Sequence, residues 1–196
     1  MDGIVNLRHG SGRCGCHSKK TEAVKMKKDR KAERQRINQE IRNLCEKGRF
    51  TQTIRFMQHG DISVCEHCIA VAYLSVRIAR ALPIHMNYRA LIRGALLHDY
   101  FLYDWHEKDR SHSLHGFRHP GKAVKNAGED FRLSKREQNI ILRHMFPLTV
   151  IPPACREAWI VCIADKICAV AETLHLSRRS YRRYVKWIKR NFKDKR

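Results

Sequence analysis

The run from Trp159 to Val170 sets a carboxylate, Asp165, among neighbours that are nearly all apolar. A run of that length and composition reads as a helix buried in a packed core, so the fold must bring something to the carboxylate. An ionised carboxylate buried without a partner costs several kcal/mol. Asp165 must therefore be paired, protonated or bound to a cation. Lys166 is adjacent, but consecutive helix residues point about 100° apart and do not pair easily. A metal ion meets the need most economically, although an arginine from another helix would also serve.

The rest of the chain supplies helices to surround this one. In the Lys-, Arg-, Glu- and Gln-rich segment 27–47, Ile37, Ile41 and Leu44 fall at helical spacing, and Gly48 can end that helix. Ser63 is expected to cap a helix running to about Leu82, which Pro83 stops. Asn87 caps a second, ending near His98 and Asp99. Residues 100–118 mix aromatics, charges and histidines without period and read as a loop. Pro120 suits the first turn of a third helix. Ser134 and Glu137 have capping-box spacing and open a fourth through Met145. Pro147, Pro152 and Pro153 mark a rigid connection to a long helix over 154–175, and a basic helix follows from about Ser180 to Phe192. There is no internal repeat and no alternation of strand length. The fold class is all-α.

Charge divides the chain. Its net charge is +21 over 196 residues, but residues 1–50 hold 14 Lys/Arg against 6 Asp/Glu, and 177–196 hold 10 against 1. The middle carries only a small excess and reads as one domain. The expected organisation is a disordered basic leader over 1–26, a basic amphipathic helix over 27–49, the domain itself over 50–176, and a basic helix over 177–196. Met26 stands at the edge of good helical sequence and is an alternative translation start. The basic ends can attract nucleic acid, weakly, or simply be solvated. No apolar run is long enough to span a membrane, and no secretory signal is evident. Eight scattered cysteines, including the Cys65/Cys68 pair, read as free thiols in helices, which suits the cytoplasm.

Five polar residues join Asp165 as candidates for one centre. His98 and Asp99 close the apolar run Ala95, Leu96, Leu97. His67 lies among Val64, Ile69, Ala70 and Val71, while His119 opens the third helix and His144 closes the fourth. Neutral imidazoles and carboxylates suit first-row divalent ions, and the two oxygens of Asp99 let it bridge two of them. Each histidine alone is weak evidence, since a buried histidine is by default a satisfied core residue. The ordered set is much stronger.

That order resembles the HD-domain phosphohydrolase superfamily, in its two-metal branch and most like its small bacterial members, over roughly residues 55–175. The resemblance is carried by the segment His67–Ala72, the run Gly94–Asp99, the His119–Pro120 pair, His144, and Asp165 with Lys166. It implies a helical bundle with a metal site at its centre. His67, His98, Asp99 and Asp165 would hold one ion, and Asp99 would bridge to a second held by His119 and His144. Mn, Fe, Mg, Co and Ni are all possible identities. It implies hydrolysis of a phosphate ester, mono- or di-, by a hydroxide shared between the ions, on a small phosphorylated compound expected to be a nucleotide. His98 and Asp99 would take part directly, and Arg118, Lys122, Arg143 and Lys166 are candidates to steady developing charge. Two departures stand out. Tyr100 to Trp105 replaces the Gly–Lys continuation common after Asp99, and Met145–Phe146–Pro147 replaces the Gly–Tyr–Pro of cyclic-di-guanylate phosphodiesterases. The second departure argues against that substrate. The alternative reading is a nucleic-acid-binding or regulatory protein built on the same scaffold.

Overall fold

A computed structural model describes residues 15–104, 115–176 and 181–192. Most of the expected leader, the centre of the aromatic loop, and Arg178 and Arg179 lie outside these residues. The chain divides into two compact units, Met1–Arg36 and Ile37–Arg196. The described part of the first is wholly helical; it is the beginning of α1, Gly15–Lys47, which starts well before residue 27. The second unit holds the rest of α1, a 3-10 helix (Phe50–Ile54), a hairpin of β1 (Met57–His59) and β2 (Ile62–Ser63), and α2 to α7. Among the described residues no helix is long and apolar enough to cross a membrane.

The helices form where their end signals put them. Ser63 and Glu66 make a complete capping box at the start of α2 (Val64–Ala81), and Leu82 turns extended before Pro83. The Asn87 side chain accepts from the Ala90 N–H at 3.0 Å and opens α3 (Tyr88–Leu97). A second box, Ser134 with Glu137, opens α5 (Lys135–Arg143). α5 stops before Met145, because His144 already sits at its C-cap. α6 spans Arg156–Thr173 and α7 Arg182–Asn191.

The third expected helix differs. α4 runs His115–Asp130, so Pro120 lies inside it rather than in its first turn. The missing N–H forgoes the bond to the Gly116 carbonyl, close to a helix end where few such bonds exist. The hairpin was not expected either. It turns at Gly60, whose φ of +55° is one that glycine adopts without strain.

In the second unit α2 packs between α3 and α6, α5 closes the ring by touching both, and α4 lies against α5. Ile37, Ile41 and Leu44 of α1 are fully buried in this core. At the α3–α5 contact Gly94 admits Ile140 so closely that an added Cβ would meet Ile140 Cδ1 at 2.6 Å. The ends of α3 and α5, with His98 and His144, are thereby drawn together.

Candidate metal centre

Two helix ends orient two imidazoles in the same way. The last carbonyls of a helix lack intrahelical donors, and a side chain at the C-cap can supply one. His98 Nδ1 lies 2.8 Å from the Ala95 carbonyl, and His144 Nδ1 lies 2.8 Å from that of Ile141. A carbonyl only accepts, so each Nδ1 must carry the proton, and each neutral ring presents a bare Nε2 lone pair. His67, mid-way along α2, is set by a carboxylate: its Nδ1 is 2.8 Å from Glu172 Oε2. All three rings are buried.

These nitrogens converge with three further side chains into two groups. In the first, His67 Nε2 and His98 Nε2 lie 3.0 and 3.5 Å from Asp165 Oδ1, and 3.8 and 3.3 Å from Asp99 Oδ2. In the second, His119 Nε2 and His144 Nε2 lie 3.2 and 3.5 Å from Asp99 Oδ1 and 2.8 Å from each other. Asp99 places one oxygen in each group. The structure thus brings together all six residues singled out from the sequence, drawn from α2, the end of α3, α4, the end of α5, and α6.

The centre fits a divalent cation. His98 Nε2 and Asp99 Oδ1 are buried and have no hydrogen-bond partner of good geometry, a costly state that a cation at either group would relieve. His67, His98 and Asp165 form one set whose ligand atoms are close enough to share an ion, and His98, Asp99 and His144 form another. Nitrogen and carboxylate donors suit a first-row metal. The electrostatics agree. Burial alone would lower the His67 pKa, but Asp165 and Glu172 outweigh it and raise it to about 10. Burial would likewise raise the pKa of Asp165, yet His67 and His98 hold it far below the usual carboxylate range. Asp99 is also held well down, with the neighbouring imidazoles overcoming its burial. The site holds its carboxylates ionised and gathers positive charge around them.

Two supporting residues escaped the sequence reading. Gln58, on β1, donates to Asp99 Oδ2 at 2.7 Å, and Glu172 accepts from His67 as above. Segment 100–104, the departure from the family pattern, is an anchor. Tyr100 is fully buried, its hydroxyl donates to Asp130 at 2.6 Å, and Asn126 donates to the Tyr100 and Phe101 carbonyls. Cys65 and Cys68 are buried free thiols on α2.

A cleft of about 580 Å³ opens onto the second group, lined by Asp99, His119, His144, Asp165, Gln58 and Lys166 with an apolar wall that includes Met145, Pro147 and Leu148. Lys166 Nζ donates to the His144 carbonyl at 2.8 Å and so sits at the edge of the centre. Arg118 is exposed and Lys122 stacks over Tyr103, 4.2 Å from the ring centroid; neither lines this cleft. Arg143 does not line it either. A family model described as HD domain matches residues 64–170. No curated protein and no solved structure matches the chain.

Proposed function

Since the chain belongs to the HD-domain family of metal-dependent phosphohydrolases, we propose that it hydrolyses a phosphate ester of a small phosphorylated compound, a nucleotide by preference, with two divalent ions. The observation that carries this reading is the placement of Asp99, one oxygen in each of two histidine groups. In this reading His67, His98, Asp99 and Asp165 hold one ion, and Asp99, His119 and His144 the other. When bound, such ions supply Lewis-acid charge against phosphoryl oxygens and lower the pKa of water. The protein's own groups do the rest. Glu172 and the Ala95 and Ile141 carbonyls each take the Nδ1 proton of one imidazole, so that Nε2 is the nitrogen each ring offers to an ion, and Gln58 fixes the rotation of Asp99. Lys166 adds positive charge at the cleft edge. The Met145–Leu148 wall excludes water and packs against the body of the substrate. The free thiols of Cys45, Cys65, Cys68, Cys155, Cys162 and Cys168 support a reducing, cytoplasmic setting.

The test is metal analysis of the purified protein, followed by a phosphate-release screen over nucleotides with Mn, Fe, Mg, Co and Ni. Activity should appear with at least one ion, and Asp99→Ala should abolish it and lower metal content while leaving helical circular dichroism intact. An Asp99→Ala protein with full metal and full activity would sink the assignment.

A second reading rests on α7. Arg183, Lys186, Lys189 and Arg190 are exposed there while Ile188 is buried, so the helix turns a basic face outward. That face supports weak nucleic-acid binding alongside hydrolysis.

A further inference from the structure

On α6, between Arg156 at its start and Thr173 at its end, the exposed side chains are apolar. Trp159, Ile163, Ile167, Val170 and Leu174 are 41%, 46%, 50%, 59% and 60% exposed. Each follows the last by three or four residues, so they form one stripe along the helix and its C-cap. The Trp159 ring packs edge-on against Phe146, which joins the stripe to the segment lining the cleft, where Leu148 is 44% exposed. Single exposed apolar residues are ordinary, but a contiguous stripe of this size is not.

From this stripe we infer that the protein forms a two-fold symmetric homodimer, in which α6 of one copy packs against α6 of the other. Three features select a second copy as the occupant. The first is area: the five side chains of the stripe present roughly 450 Å² of surface, about the apolar share of the ~800 Å² that each partner buries in a standard interface. The second is charge. Of the charged residues on α6, Glu157, Asp165 and Glu172 are buried, and Lys166 is turned onto the His144 carbonyl. Only Arg156, at the start of the helix, is left. An anionic membrane or an acidic partner would be met by a basic rim, as on interfacial helices, whereas α6 adds no outward cation after Arg156, which lies with Arg136 beside the Trp159 end of the stripe. The third is repulsion. Two copies each carrying +21 can approach most easily through a neutral face. A helix stripe of this kind is self-complementary, as an isologous interface requires.

Sedimentation of the full chain at micromolar concentration, at moderate salt, tests the proposal. The wild type should have the mass of a dimer. The double variant Ile163→Glu with Ile167→Glu should have half that mass, with unchanged helical circular dichroism and metal content. Val170→Arg alone should weaken the dimer in the same direction. Ile84→Glu, an exposed apolar position outside α6, should leave the mass as in the wild type. A monomeric wild type, or a dimer indifferent to the α6 variants, overturns the proposal.

Discussion

Glu172 never faces the cleft, yet it decides what His67 can do. Its carboxylate accepts the Nδ1 proton at 2.8 Å, which fixes the ring and makes Nε2 more basic. Glu172→Gln keeps an acceptor of similar shape but removes the charge. Metal affinity is therefore expected to fall about 10–100-fold, the usual cost of losing such a partner. Calorimetric titration of the metal-depleted protein with Mn²⁺ measures this directly, and an affinity unchanged from the wild type would show that Glu172 only packs. His144 separates the two groups in another way. It approaches Asp99 Oδ1 and His119 but takes no part in the contacts made by His67. His144→Ala should take the protein from two bound ions per chain to nearer one, counted by elemental analysis. A fully active wild type with a single tight ion would remove the two-ion mechanism and leave hydrolysis standing.

Among the elements, α4 is the clamp that holds the irregular segment after Asp99. Asp130, its last residue, accepts from the Arg49 backbone N–H at 2.9 Å, from Arg49 Nε at 3.0 Å and from Tyr100 at 2.6 Å. Burial would raise the Asp130 pKa, but Arg49 and Tyr100 outweigh it and hold it below the ordinary carboxylate value. A depressed folded-state pKa means that the stabilisation is complete above the unfolded value of about 3.9 and is lost as pH falls through the folded one. Asp130→Asn should thus cost about 1–2 kcal/mol near neutrality. That gap should close in acid below about pH 4, read from urea unfolding of both proteins across pH. A gap independent of pH would mean that the charge of Asp130 contributes nothing. The caps of α2, α3 and α5 were legible in the sequence because Ser63, Asn87 and Ser134 act locally, within three residues. The six converging residues were legible because polar groups in apolar runs need partners, and because their order matches a family. Gln58 and Glu172 were not, since each looks like a surface residue until packing brings it to a partner 41 or 105 positions away. The early start of α4 was hidden by Pro120, whose usual place in a first turn is a preference and not a rule.

For the whole molecule, the basic character of the chain is what its fold leaves outside. α7 buries Ile188 and packs Tyr181 and Tyr184 against Tyr73, while Arg42 lies 4.8 Å over the Trp187 ring. Removing α7 would therefore open the core, so deletion cannot separate charge from stability. Substitution can: Arg183, Lys186, Lys189 and Arg190 are exposed, and changing all four to Gln leaves the buried side untouched. If this face binds phosphates, each contact releases counterions, and the logarithm of affinity falls with the logarithm of salt by about 0.9 per duplex phosphate neutralised. The wild type should then retard duplex DNA or RNA of any sequence at low salt and release it at moderate salt. The fourfold variant should bind more weakly, with a shallower salt slope. Hydrolysis provides a second readout, because a basic face that steers an anionic substrate raises kcat/KM at low ionic strength. Equal retardation by both proteins, or none by either, removes α7 as a nucleic-acid site, and an unchanged kcat/KM at low salt removes the steering role as well.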